Sequence, residues 1–214
     1  MQRDERGTVV GTVLLLLFLL AVLAAAADFA MRFIAEGRIA RCIRMAVDLD
    51  EDPDVELRGF PFVFRVLEGR FERVDVDAAL VEVEGLALEE VHLDFRSVRF
   101  PKWDLVSGGT GDVSADGGTA VVEVTDEAFS RFLADQGVGT EVVFTPGSVA
   151  AGGGSGSLEI DGGVLAFRPQ GGGSGFEVSL PQLMPGLTYR RVTVDSGFAV
   201  IRASLAGVRF RLAE

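Results

Sequence analysis

Residues 8–27 read TVVGTVLLLLFLLAVLAAAA, twenty positions without a charge. At 1.5 Å rise per residue such a helix is about 30 Å long, the thickness of a bilayer's hydrocarbon core. No later segment holds an apolar run of that length. The chain therefore divides into an N-terminal transmembrane anchor or signal segment, residues 1–27, and a polar domain, residues 28–214. Two readings of the first segment stay open. Ala24, Ala25, Ala26 and Ala27 would supply the small-residue site at which a signal peptide is cut, whereas the length of the whole run suits a retained span. A retained span makes a single-pass membrane protein, and cleavage makes a secreted one. Either way the domain is expected on the extracytoplasmic, periplasmic side, because a short tail before the first apolar segment is the usual export signal. The arginines run against this: Arg3 and Arg6 precede the run, while Arg32, Arg38, Arg41 and Arg44 follow it, which by the positive-inside rule alone favours the opposite orientation.

The whole chain carries a net charge of −12 over 214 residues. The first 27 residues hold two Arg, one Asp and one Glu, so the domain alone keeps that charge. Such acidity argues against nucleic acid as a partner, since phosphate contacts need clustered Lys and Arg. The single cysteine, Cys42, excludes an intramolecular disulfide framework and a cysteine-rich zinc site, and on a helix it reads as a small apolar residue.

Residues 28–47 read as an amphipathic helix continuing from the apolar run. Phe29, Phe33, Gly37, Ala40 and Arg44 follow one face, with Ile39 and Ile43 beside it. Residues 48–54, DLDEDPD, form an acidic loop. From Val55 onward the period becomes two. Val74, Val76, Ala78 and Leu80 alternate with Asp75, Asp77 and Ala79; Val91, Leu93 and Phe95 alternate with His92, Asp94 and Arg96; Phe198 and Val200 precede a final pair, Val208 and Phe210. One-sided alternation predicts half-buried antiparallel strands. The register switches near residues 79–81 and again between Phe95 and Val98, which predicts bulges or bends. Thr125 followed by Asp126 and Glu127 predicts a capped second helix with Phe129, Phe132 and Leu133 as its apolar stripe and Gly137 at its end. The glycine tracts at 152–156 and 171–175 read as hairpin loops. The fold expected is α+β: after the anchor, a long and a shorter helix packed on one strongly curved antiparallel sheet.

Chemistry-bearing patterns are weak. The single histidine, His92, sits mid-strand and is expected to face solvent beside Asp94, with no nucleophile elbow to serve. Asp48, Asp50 and Asp52 have the spacing of a calcium loop, but Pro53 stands where that loop needs glycine and Gly59 where it needs a bidentate glutamate. The glycine tracts lack the lysine of a phosphate loop. The pairs Asp75/Asp77 and Glu82/Glu84 are expected on a solvated strand face. No catalytic residue, metal or cofactor is expected. Sixteen phenylalanines, against one Trp and one Tyr, bring apolar area with no polar atom to satisfy. They suit either a filled core or an apolar ligand cavity.

Residues 53–62 read PDVELRGFPF, residues 67–76 LEGRFERVDV, and residues 180–187 LPQLMPGL before VTVDSGF at 192–198. This succession resembles the LmeA-type phospholipid-binding family of actinobacterial cell envelopes: an N-terminal span or signal, a helix, a strand leading to G-F-P-F, a G-R-aromatic turn, and a late L-P-x-L-P-x-G segment, which Met184 interrupts here. The positions that match the motif are Gly59, Phe60, Pro61, Phe62, Gly69, Arg70 and Val74. The resemblance implies a tubular lipid-binding-like fold holding phospholipid or another envelope lipid in an apolar groove between helix and curved sheet, and a role in envelope lipid or lipoglycan handling. It carries no catalytic motif. On that basis Phe33, Phe60, Phe62, Val74, Val76, Leu93, Phe95, Phe129, Phe132 and Leu183 are candidate lipid-lining residues. The alternative is an envelope structural or interaction module with a filled core, binding a membrane-enzyme partner.

Overall fold

The computed structural model describes residues 4–47, 49–100, 112–171, 174–182 and 184–211. The apolar run and the helix after it form one uninterrupted α-helix, α1 (Asp4–Val47), of 44 residues. Every residue from Gly11 to Ala24 is exposed. Burial begins at Asp28 and continues through Ala35, Ile39 and Ala40. These lie seven, eleven and twelve residues on, so Asp28, Ala35 and Ile39 share one helix face. The domain therefore packs on that face and not on the flank of Phe29 and Phe33, which stay 62% and 78% exposed. Small Ala35 and Ala40 let the helix approach closely, which the larger rings would prevent.

After α1 come β1 (Asp54–Arg58), α2 (Phe62–Glu68), β2 (Arg70–Val83), β3 (Leu86–Arg99), β4 (Asp112–Thr125), α3 (Asp126–Asp135), β5 (Val142–Thr145), β6 (Ser148–Ala151), β7 (Gly154–Asp161), β8 (Val164–Pro169), β9 (Phe176–Ser179), β10 (Leu187–Asp195) and β11 (Phe198–Arg211). They form two antiparallel sheets, one ordered β1-β2-β3-β4-β11-β10 and the other β5-β6-β7-β8-β9. The fold is α+β, but the single strongly curved sheet expected is not found. The glycine tracts explain the second sheet. Gly152 and Gly153 turn β6 into β7, and the second tract joins β8 to β9, so these short strands close as a local meander.

Strands β2, β3, β4 and β11 are each 14 residues long, about 46 Å at 3.3 Å per residue. That length carries two cores end to end. The anchor-side core joins Ala35, Ile39 and Ala40 of α1 and Phe62 and Val66 of α2 to Phe71, Val74, Val76, Phe95, Val98, Val113 and Val208. The far core joins Phe129, Phe132 and Leu133 of α3 to Val81, Leu88, Val122, Ile201 and the second sheet. Two backbone hydrogen bonds among the described residues fasten the sheets: Gly197, in the β10–β11 turn, donates to the Phe144 carbonyl, and Gly147 donates to the Val194 carbonyl. Gly197 also accepts from the Asp126 amide at the start of α3.

Both predicted register switches are present. Leu80 and Ser97 stand within strands at φ 53° and 52°, a left-handed conformation that breaks the alternation of faces. Pairing continues on both sides without slippage, so neighbours must change phase together. Glu72, Ser97, Asp116 and Gly207 lie opposite one another across β2, β3, β4 and β11. On each strand the buried residue before this line and the one after it are an odd number apart: Phe71 and Val74, Phe95 and Val98, Ala115 and Ala120, Leu205 and Val208. On β11 the core face is Ala199, Ile201, Ala203 and Leu205. The phase expected from Phe198 and Val200 is thus corrected: these two are half-buried on the other face, and Ala199 and Ala203 share the core face with Ile201 and Leu205.

The second helix forms as expected. Thr125 Oγ1 accepts from the Ala128 amide at 3.3 Å, and Phe129, Phe132 and Leu133 are buried. Ser130 staples α3 to β5. Its Oγ accepts from Val142 N at 2.9 Å and donates to Val142 O at 3.3 Å.

Candidate functional site

The G-F-P-F segment is where the anchor meets the domain. Pro61 follows a cis peptide bond and stands at the N-terminus of α2. Lacking an N–H, it leaves one fewer helix-end donor to satisfy. The next two donors are met from α1. The Asp28 carboxylate, 8% exposed, accepts from Phe62 N at 2.9 Å and from Val63 N at 2.8 Å. A side chain one residue past the apolar run thus caps a different helix 34 residues later. Glu36, two turns along the same rod, accepts from Leu57 N at 2.8 Å and from Arg32 Nε at 2.8 Å. It satisfies an outward amide of the edge strand β1 and covers an otherwise open sheet edge. The hydrogen bond to Glu36 also raises the Arg32 pKa above its ordinary value, against the opposing effect of burial.

The second motif half closes the same short helix. Gly69, at φ 70°, ends α2 in the left-handed conformation that favours glycine, and its amide bonds the Val66 carbonyl. Its carbonyl accepts from Phe100 N. Arg70 then opens β2 and donates to Ser97 Oγ at 3.2 Å. Phe62, Phe71 and Phe100 pack in sequence, the first pair tilted and the second edge-to-face, with ring centroids 5.4 Å apart at each step. The motif is therefore a helix with its two caps and an aromatic underside. Sequence reasoning missed α2. Its signals were Phe62 and Val66 four apart, Pro61 before them and Gly69 after.

The candidate lipid-lining residues fall in different places. Phe62, Val74, Val76 and Phe95 meet in the anchor-side core. Phe129 and Phe132 lie in the far core. Leu93 is half-buried and packs against both. Phe33 and Phe60 are 78% and 68% exposed and belong to neither. Leu183 lies outside the described residues. The late segment around it runs from one core to the other: Leu180 is buried in the far core, while Met184 and Leu187 pack against the anchor-side core. Tyr189 fixes its start by donating its hydroxyl hydrogen bond to Pro181 O. Burial, with the nearby Glu84 charge, pushes the Tyr189 phenol up to about 12. An open depression of about 430 Å³ lies at the β5–β6–β7 turns, lined by Glu141, Val143, Ala150 and residues 152–155 among others; no candidate lines it.

The opposite face of the first sheet corrects two expectations about charge. Asp75 is buried, 3% exposed, and stands directly across from Asp94 at 6%. Arg73 Nε donates to Asp75 Oδ1 at 2.9 Å, and its guanidinium reaches Asp94 Oδ2 at 2.5 Å. Arg58 Nε lies 2.6 Å from Asp75 Oδ2. The two buried carboxylates are thus held by guanidinium groups from β1 and β2. The hydrogen bond to Asp75 is the main reason the Arg73 pKa is raised. His92 pairs across the strands with Asp77. Among the described residues no cluster of His, Cys, Asp and Glu is arranged to hold a metal ion.

An apolar helix long enough to cross a membrane therefore runs into a domain built around the G-F-P-F and G-R-F positions. The chain belongs to the LmeA-like phospholipid-binding family. The family profile matches residues 26–211, from the last apolar turn through the final strand. No curated protein and no solved structure matches the chain. The match begins two residues before Asp28, so in this LmeA-like chain the cap supplied by α1 falls inside the family's extent.

Proposed function

We propose that this LmeA-like protein is a membrane-tethered, non-enzymatic phospholipid binder of the cell envelope, with its domain on the extracytoplasmic side. Its acyl chains would lie between α1 and the first sheet, against Phe62, Val74, Val76 and Phe95, with Leu93 leading toward the far core. The observation that carries this reading is the family match over residues 26–211. The continuous rod supports it, because it delivers the anchor-side core directly to the end of an apolar span. Apolar burial would supply the binding energy, at about 0.8 kcal/mol per buried CH₂, so the acidic balance of the domain need not oppose it. The role would be envelope lipid or lipoglycan handling.

Native mass spectrometry of the domain from residue 28 onward, purified without detergent from an exporting host, tests the reading. A stoichiometric phospholipid adduct is expected. A clean apo mass with no uptake from phospholipid vesicles would reject it. One observation favours the second reading, an interaction module for a membrane-enzyme partner: the rings of Phe62, Phe71 and Phe100 already pack on one another. The apo result would move the weight there.

A further inference from the structure

Phenylalanine is normally hidden in a soluble domain. Phe71, Phe95, Phe100, Phe129, Phe132, Phe144 and Phe167 follow that rule. Outside the apolar run, the phenylalanines left largely exposed among those described are Phe29, Phe33, Phe60 and Phe64, at 62, 78, 68 and 59%. Leu67, one turn past Phe64, is 43% exposed. They are not scattered. Phe29 follows Asp28, while Phe60 and Phe64 flank the two residues whose amides Asp28 holds. One buried carboxylate thus gathers them at the level where the twenty-residue apolar run ends.

We propose that Phe60, Phe64 and Leu67, with Phe29 and Phe33 beside them, form a wedge that inserts into the lipid bilayer next to the anchor. The proposal rests on the anchored reading of residues 8–27. The span fills the roughly 30 Å hydrocarbon core, which places Asp28 at its boundary. The headgroup layer beyond is about 5–7 Å deep, and Phe33 stands five residues, about 7.5 Å, past Asp28. The rings therefore occupy the boundary zone, where amphipathic elements bury apolar side chains alongside an anchor. Apolar burial, not charge, has to drive contact there: Arg65, on the same short helix, is paired with Glu68 and Glu72, and Arg32 with Glu36 and Glu56, one cation beside two carboxylates in each case. Such a wedge fixes the face of the domain that the membrane sees and sets the anchor-side core beside lipid.

Depth-dependent quenching of tryptophan in the full chain tests this. Trp103 is replaced by Phe, and single reporters are introduced as F60W, F64W, F18W and V143W. Each variant is reconstituted into phosphatidylcholine–phosphatidylglycerol nanodiscs with lipids spin-labelled near the top or the middle of the acyl chain. F18W reports the span. V143W is an exposed apolar site on β5. Emission from F60W and F64W is expected to shift to the blue and to lose most of its intensity with the shallow label. V143W should be unaffected. F18W quenched while F60W and F64W behave like V143W would overturn the wedge and leave the anchor standing. No quenching of F18W would overturn both.

Discussion

Removing the Asp28 carboxylate is the sharpest perturbation of this architecture. In D28A the amides of Phe62 and Val63 lose their acceptor at a site 8% exposed. A hydrogen bond to a charged group is worth about 1.5–3 kcal/mol net. Two bonds to one carboxylate do not add fully, and the variant no longer pays to desolvate the acid. Loss of an ordinary helix cap costs up to about 2 kcal/mol. A net loss of about 2–3 kcal/mol follows. For a domain of this size each kcal/mol moves Tm by about 2–4 °C, so D28A should melt about 4–12 °C lower. D28N keeps one acceptor oxygen and should lose about half as much. The assay is thermal unfolding of the full chain in detergent, followed by circular dichroism, with hydrogen exchange resolved at Phe62 and Val63. Those two amides should lose protection while α3 keeps its own. A D28A variant within about 0.5 kcal/mol of the parent, the range of ordinary surface changes, would refute the cap. So would equal losses in D28A and D28N.

Three further outcomes follow from the geometry. S130A removes the staple between α3 and β5 and should lower the urea midpoint by about 1–2 kcal/mol in stability, with the m-value unchanged. G118A would set a Cβ 2.1 Å from the Asp94 carbonyl oxygen across the β3–β4 ladder. It should cost at least about 1–3 kcal/mol, read as a lower Tm with weakened protection at the Phe95 amide. Tyr189, the single tyrosine, should form phenolate near pH 12 rather than 10, followed by absorbance at 295 nm. Because burial disfavours the ionised form, the unfolded chain releases this proton first. Its contribution to stability is intact below pH 10 and is lost as pH rises toward 12.

What could be read in the sequence was whatever depends on a few neighbouring residues. Thr125 before two acids is a cap in any context. A break in alternation at Leu80 and Ser97 has to appear as a backbone irregularity. What could not be read depended on comparing faces. Phe29 and Phe33 draw the eye to one flank of α1, yet Asp28, Ala35 and Ile39 face the domain because close packing favours small residues and the capping acid is needed there. On β11 the same weighting picks Phe198 and Val200 over Ala199 and Ala203. Asp75 reads as solvated until Arg58 and Arg73 are placed above it. Helix α2 went unseen because it is only seven residues long and its first two free amides are satisfied from α1, 34 positions away, which left Pro61 and Gly69 as its local boundary signals. Among the lipid candidates, those on β2 and β3 could be grouped by alternation. The division into two cores was not legible, because it follows from α1 with α2 and α3 packing at opposite ends of the same long strands.

The absence of a joint between the apolar run and the domain has a mechanical consequence. A 44-residue helix is about 66 Å long, and Asp28 and Glu36 clamp its outer half at two heights, to α2 and to β1. A domain hung from a linker samples many attitudes above a membrane. One clamped to a rod takes its attitude from the rod's inclination. Spans tilt more steeply in thinner bilayers, and here the domain must lean by the same angle. With α1 in a bilayer, the chain is a lever with one arm set by lipid thickness, while the other, about as long, swings the anchor-side core toward or away from the surface.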